Sequence, residues 1–414
     1  MLTGLRVLDL TDSRTYLAGR ILADLGADVI KIEPPGGDKG RFHNDKTRPG
    51  KTSISANWFV LNLGKRSVTL NIEDNDGRTI FKNLTRNADI IIESFRTDYM
   101  KNIGLGYDVL RQINPKVILT SITPFGADGP YSKYKGPEIA TTAMSGFMFL
   151  TGAADRTPLC INFPISYAMA SVHAVFSSLI ALYSRQNTGF GQSIDVSARE
   201  CPISTCGYAL PTWDLNHILI ERAGDLWVRV NLDGEKVTQK VLWPCKDGIV
   251  AFMIMGGARG AKSNSNLTKW MDEEGMSDDF LRSIDWFKLD FATMVSQEFN
   301  DRLAAAIERF FMAHTKQQLA EEAQTREILL QIAADADDVY NSQQLAERDF
   351  WANMVYPGLN MPVRCPGPFA RSSIKPLTVA SGAPLPGEHN WDIYERELKL
   401  SPDELTELEK RKVI

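Results

Sequence analysis

Along the first two hundred residues, short apolar runs alternate with stretches whose apolar residues recur every three or four positions. That alternation is the pattern of parallel strands joined by crossover helices. The runs LRVLDL (5–10), VIKIE (29–33), SVTLNI (67–72), DIIIESF (89–95) and KVILTSIT (116–123) predict strands. Between them, RILADLGAD, GRTIFKNLTRNA and YDVLRQIN carry helical spacing, so a Rossmann-like sheet is the simplest assembly. A long, mostly apolar segment from Ser166 to Arg185 predicts a buried helix, closed by Asn187, Gly189 and Gly191 and followed by the strand QSIDVS.

From about residue 225 the texture changes. WVRVNL, VTQKVLWPC and GIVAFMIM predict strands, and the Asp-Gly pairs at 233–234 and 247–248 suit hairpin turns. NDRLAAAIERFFMAH and TKQQLAEEAQTREI have helical spacing with capping residues ahead of them. A Pro- and Gly-rich tract from Pro357 to Pro386 leads to a charged helix, SPDELTELEKRK. The expected organisation is a large α/β domain over 1–215, a smaller α+β domain over 225–335, and a return segment, 336–414, that completes the large domain.

Composition narrows the function. A chain of 414 residues, 43% of them hydrophobic, is long enough for more than one core. The net charge of −5 argues against a nucleic-acid surface, which needs a concentrated basic field. The N-terminus, MLTGLRVLDLTDS, lacks a signal-peptide pattern, and no apolar run is read as reaching the roughly 20 residues that span a bilayer. The expectation is a cytoplasmic protein with no membrane partner. Cys160, Cys201, Cys206, Cys245 and Cys365 form no C-x-x-C pair and are read as buried thiols. His43, His173, His217, His314 and His389 are scattered, so no metal site is expected.

The familiar signatures of phosphate loops, dinucleotide fingerprints, zinc proteases and serine hydrolases are missing from the sequence. The glycine-bearing loop PPGGDKGR (34–41) can present backbone N–H groups and Arg41 to a phosphate, or it can be a plain turn. NLGKRS (62–67), with Lys65 and Arg66, leaves the same two readings open.

Taken together and in order, LRVLDLT, LADLGADVIKIEPPGGDKGR, NLGKRSVTL, ADIIIESF, NPKVILTSITPFGADGPY, AMSG, TGFGQSIDVS and APLPGEHNW resemble the family III CoA-transferases across nearly the whole chain. The resemblance implies a Rossmann-like large domain built from both ends of the chain, a small domain between them, and an interlocked dimer. It implies coenzyme A or an acyl-CoA as substrate, with no tightly bound cofactor. It also places CoA contacts at Arg41, Phe95 and Lys135, with Glu138 as a supporting acid; one further family arginine is lost at Asn102.

The family's chemistry uses an aspartate at the start of the helix before AL-x-x-R-x-x-TG-x-GQ. Its carboxylate attacks the thioester, giving a mixed anhydride, then an enzyme-bound CoA thioester, then the acceptor's CoA ester. Counting back from ALYSRQNTGFGQ, that position is Tyr167, and PLCINFPISYAMAS holds no Asp or Glu. A phenol, with a reference pKa near 10, is a poor substitute for a carboxylate. The resemblance therefore implies a subunit lacking the nucleophile, paired with a homologue that carries the aspartate and moving CoA from succinyl-CoA to an acid such as benzylsuccinate. Two other readings are a self-sufficient transferase using Glu138 and a non-catalytic acyl-CoA-binding protein. The racemases of this fold use a His and Asp pair, and Pro137 and Tyr167 occupy those positions.

Overall fold

The computed structural model describes residues 1–44, 52–230, 236–290, 295–355 and 362–414. The chain divides into two compact units. One comprises Met1–Met148, Cys160–Leu219 and Gln344–Ile414, and the other Phe149–Leu159 and Ile220–Gln343. The segment 149–159, read from sequence as part of the large domain, falls in the second unit. The reason is local: the Arg222 guanidinium donates to the carbonyls of Ala153 and Arg156, and a Cβ on Gly224 would touch Ala153.

The first unit is built on six parallel strands: β1 (Arg6–Leu10), β2 (Asp28–Glu33), β3 (Arg66–Thr69), β4 (Ile90–Glu93), β5 (Ile118–Thr123) and β6 (Ser193–Ser197). Their order across the sheet is β3-β2-β1-β4-β5-β6. All six fall where the apolar runs predicted them. Alternate residues serve opposite faces, as the period of two requires. Leu8, Leu10, Ile30, Ile32, Ile91 and Leu119 pack under Ile393, Tyr394, Leu405, Leu408 and Val413 of the return segment. Val7, Val29, Ile90, Ile92, Ile118 and Ile122 pack under α1 (Tyr16–Asp24) and α3 (Ile165–Thr188). Covering both faces lets a parallel sheet be apolar throughout, and each fully buried aliphatic side chain contributes about 1.5–3 kcal/mol.

Helix α3 corrects one sequence expectation. It is 24 residues long with mean hydropathy 1.6, enough in length and composition to cross a bilayer, although half of that window is buried inside the protein. Interspersed serines hide the run from the eye, yet they bond backward along the helix, as Ser171 does to Tyr167 and Ser178 to Ala174. Tyr167, Ala170, Ala174, Val175 and Ala181 face the sheet. Val172, Phe176, Ile180 and Tyr183 form an outward stripe, each at least half exposed.

In the second unit, Leu226–Val230 pairs antiparallel with Lys236–Lys240. The Asp-Gly turn expected between them, at 233–234, lies outside the described residues. The turn at 247–248 does join antiparallel strands, Leu242–Cys245 and Gly248–Phe252. Helices Gly257–Glu273, Gln297–Ala313 and Lys316–Thr325 enclose a core of Trp243, Phe252, Trp270, Phe310 and Phe311.

Candidate functional site

The strand order reverses between β1 and β4, so the connections leaving their carboxyl ends run in opposite directions and open a crevice there. A cavity of about 720 Å³ occupies the carboxyl edge of the sheet at that point. Arg14 reaches it from the loop after β1. Phe95 to Tyr99 and Asn102 line it from the segment after β4, and Pro124 with Ser132 to Pro137 line it from the segment after β5. The last two walls are tied together where Thr97 Oγ1 donates to the Ser132 carbonyl at 2.7 Å.

The cavity suits an anion with an aromatic part. Arg96, Lys133 and Lys135 are exposed on its walls, and among the described residues none has a carboxylate within 4 Å. Cations of this kind make strong charge-assisted bonds to phosphate oxygens. Phe95 is half-buried against Tyr99, with ring centroids 4.5 Å apart. The Phe95 amide donates to the Glu93 carboxylate at 2.6 Å. Burial pushes Glu93 up to about 7, helped by Asp195 and Asp12 and opposed by hydrogen bonds from Ser121 and the Phe95 amide.

Behind the cavity stands Tyr167, the third residue of α3 and fully buried. Its hydroxyl donates to the Gly136 carbonyl and accepts from Arg14 Nη1 at 3.1 Å. Both of those partners line the cavity, so the phenol sits one residue behind its wall. The Arg14 guanidinium also lies 4.9 Å from the Tyr167 ring centre and grips the Asp12 carboxylate at 2.7 Å. Burial raises the phenol above its ordinary value of 10 despite the pull of Arg14. A phenol held protonated in this way cannot take the part of an attacking carboxylate.

Glu138 begins α2 (Glu138–Met144) and is spent on capping. Its Oε1 accepts from the Ser166 amide at 2.9 Å and from Thr142 Oγ1 at 2.7 Å, and its Oε2 accepts from Ser166 Oγ at 2.6 Å. Pro164, the residue preceding α3, supplies no side-chain cap, so Glu138 does that work from another helix, where the dipole favours an anion.

Of the three residues expected to touch CoA, Phe95 and Lys135 line the cavity and Arg41 does not. The Arg41 guanidinium bonds to both Glu33 carboxylate oxygens and to the Pro384 carbonyl at 2.8 Å, and its carbon lies 4.0 Å from the Trp58 ring centre. Asn102 lines the cavity where the resemblance marks a lost arginine. Arg14, Arg96, Lys133 and Tyr134 also line it, and sequence reasoning passed over them. The available signal was their place directly after the strand ends that flank a change of direction. The described residues hold no group of three or more metal-ligating side chains. All five cysteines are free; Cys160 is exposed, which corrects the reading of all five as buried.

A family profile described as CoA-transferase family III matches residues 2–390. The chain belongs to CoA-transferase family III. Its relatives include the succinyl-CoA:(R)-benzylsuccinate CoA-transferase subunit BbsE of Thauera aromatica, 32% identical over 94% of this chain and 92% of that one. The succinyl-CoA–D-citramalate CoA-transferase of Chloroflexus aurantiacus is 28% identical over 100% and 98%. Among solved structures, a CAIB/BAIF family protein from Brucella suis superposes with a TM-score of 0.77, at 26% identity, over 95% of this chain and 98% of its own.

Proposed function

We propose that this chain is the non-nucleophilic subunit of a heteromeric CoA-transferase, holding the CoA moiety in its cationic cavity while a homologous partner supplies the attacking aspartate. The observation that carries the reading is Tyr167. By the count back from ALYSRQNTGFGQ it takes the place of the family's aspartate, and its hydroxyl is bonded to Gly136 and Arg14, two residues that line the cavity. Phe95, Lys133 and Lys135 take the nucleotide, with the lysines facing its phosphates. The transfer runs from succinyl-CoA to an organic acid, for which benzylsuccinate, the acid in the name of a relative covering nearly the whole chain, is the first choice.

A partner chain also suits the surface. The stripe Val172, Phe176, Ile180 and Tyr183 leaves an apolar helix face in water. Helix Ala209–Asn216 buries none of its residues, although it carries Leu210, Trp213 and Leu215. Apolar exposure on this scale favours association, and a homologous subunit threaded against this face, as in the family's interlocked dimers, would cover it.

The test is a CoA-transfer assay from succinyl-CoA to benzylsuccinate, with this chain alone and with its homologous partner. Activity is expected only in the pair, and it should disappear when the partner's aspartate is changed to asparagine. Activity in the isolated chain would overturn the proposal and make Glu138 the nucleophile to examine.

A further inference from the structure

The wall of the cavity that follows β5 carries an exposed aromatic side chain. Tyr134 sits between Lys133 and Lys135, lines the cavity, and is 59% exposed. Leaving a tyrosine ring in water forfeits its burial, so its position calls for a reason.

The ring is held in place rather than left loose. The Tyr134 amide donates to the Tyr131 carbonyl at 2.9 Å, closing a turn. The Tyr134 ring centre lies 5.3 Å from that of Tyr131, which in turn lies 6.1 Å from that of the buried Phe125. The Arg199 guanidinium approaches the Tyr131 ring at 5.7 Å. An aromatic run therefore climbs from the core to the cavity and fixes its last member, so ordering Tyr134 on a ligand forfeits little side-chain freedom.

On the wall that follows β4, Phe95 is backed by Tyr99 in the same manner. Two backed aromatic rings thus stand on walls joined by the bond from Thr97 to Ser132, with Arg96, Lys133 and Lys135 beside them. A planar base flanked by phosphates needs this combination, because stacking covers the faces of the base while the cations meet the phosphates. Asn102, a small amide, cannot cover a base face as a guanidinium would.

We propose that Tyr134 contacts the ligand of this cavity directly, stacking on the purine base of the CoA nucleotide as the counterpart of Phe95. This rests on the CoA reading of the cavity given above.

Calorimetric titration of the full chain with CoA and with adenosine 3′,5′-bisphosphate tests it. Tyr134→Ala should weaken both ligands roughly tenfold, the scale of a lost base stack, while Tyr134→Phe stays within about threefold of the unaltered chain. Because the side chain is exposed, neither variant should alter the thermal unfolding midpoint. Binding of both ligands by Tyr134→Ala within about twofold of the unaltered chain would overturn the stacking role alone. So would a loss confined to CoA, which would put Tyr134 on the pantetheine arm, or an equal loss in Tyr134→Phe, which would make the hydroxyl the contact. Failure of the unaltered chain to bind either ligand would overturn the CoA reading and the stacking role with it.

Discussion

At the ends of β1, β2 and β3 the chain closes on a network of its own charges, whereas the segments beyond β4 and β5 line a cavity that Arg14 enters from the loop after β1. In the closed half, the Asp9 carboxylate accepts from Lys65 Nζ at 2.8 Å and from the Thr11 amide at 2.9 Å, and Lys31 Nζ donates to the Thr11 carbonyl. Lys65 also donates to Asn62 and to the Tyr16 carbonyl. Glu33 is gripped by Arg41 and receives Ser67 Oγ at 2.6 Å. Asp9, Lys31, Lys65, Glu33 and Arg41 are all buried. Gly19 lets α1 sit directly on this network, since a Cβ there would stand 2.0 Å from Asp9 Oδ2. In the open half, Arg96, Lys133 and Lys135 have no such partners among the described residues. The lesson is that a basic loop at a sheet edge keeps its cations free for a ligand only where the chain withholds its own carboxylates.

The contrast can be broken at the closed half first, where the effect is largest. Lys65→Ala leaves the Asp9 carboxylate buried with only Lys31, 3.6 Å away, to balance it. Stability should fall by about 3–5 kcal/mol, read from the urea unfolding midpoint. Lys133→Ala, by contrast, should shift that midpoint negligibly. Comparable midpoints in the two variants would mean that the network does not hold the edge together.

Acid should act on the same network with a smaller effect. Burial alone would raise the Asp9 carboxyl, but Lys65 and Lys31 outweigh it and hold it at about 2, below its ordinary 3.8. A carboxyl whose folded value is lowered contributes stability above its unfolded value and loses it as pH falls through the folded one. About 2 kcal/mol should therefore be present above pH ~4 and disappear progressively towards pH ~2. Unfolding midpoints measured across that interval should show this loss, and Asp9→Asn should flatten that part of the profile. An unchanged slope in Asp9→Asn would assign the acid sensitivity to other carboxylates.

The strands were legible because their signal is local. Apolar runs such as DIIIESF and KVILTSIT need no knowledge of distant partners, and the sheet holds a shorter strand within each, Ile90–Glu93 and Ile118–Thr123. The site was less legible because pairing is not local. Lys65 and Asp9 are 56 residues apart, and Arg41 meets a carbonyl 343 residues away. NLGKRS and the loop holding Lys133 and Lys135 look equally basic in sequence, yet one is internal and the other faces the cavity. Glu138 poses the same problem: its role as a cap depends on Ser166, 28 residues on. The outward stripe of α3 reads as core in the sequence because spacing along a helix identifies a face without saying what covers it.

The smallest expected effect sharpens the contrast most, because it separates two cations that the family resemblance treats alike. Lys135 lies on the cavity wall, and Lys135→Ala should raise the CoA dissociation constant about tenfold, or about 1.4 kcal/mol, with no change in the unfolding midpoint. Arg41 has its guanidinium committed to Glu33 and Pro384, so Arg41→Ala should do the reverse. It strands the buried Glu33 carboxylate and lowers the midpoint, while CoA affinity, measured at a temperature where the variant remains folded, stays within about twofold. Calorimetry on the two variants side by side decides the matter. A tenfold loss of affinity in Arg41→Ala with the midpoint intact would mean that the PPGGDKGR loop itself reaches the nucleotide. The open region of the edge would then extend across β1 to the end of β2, and the charged network would have to be reread as part of the ligand site.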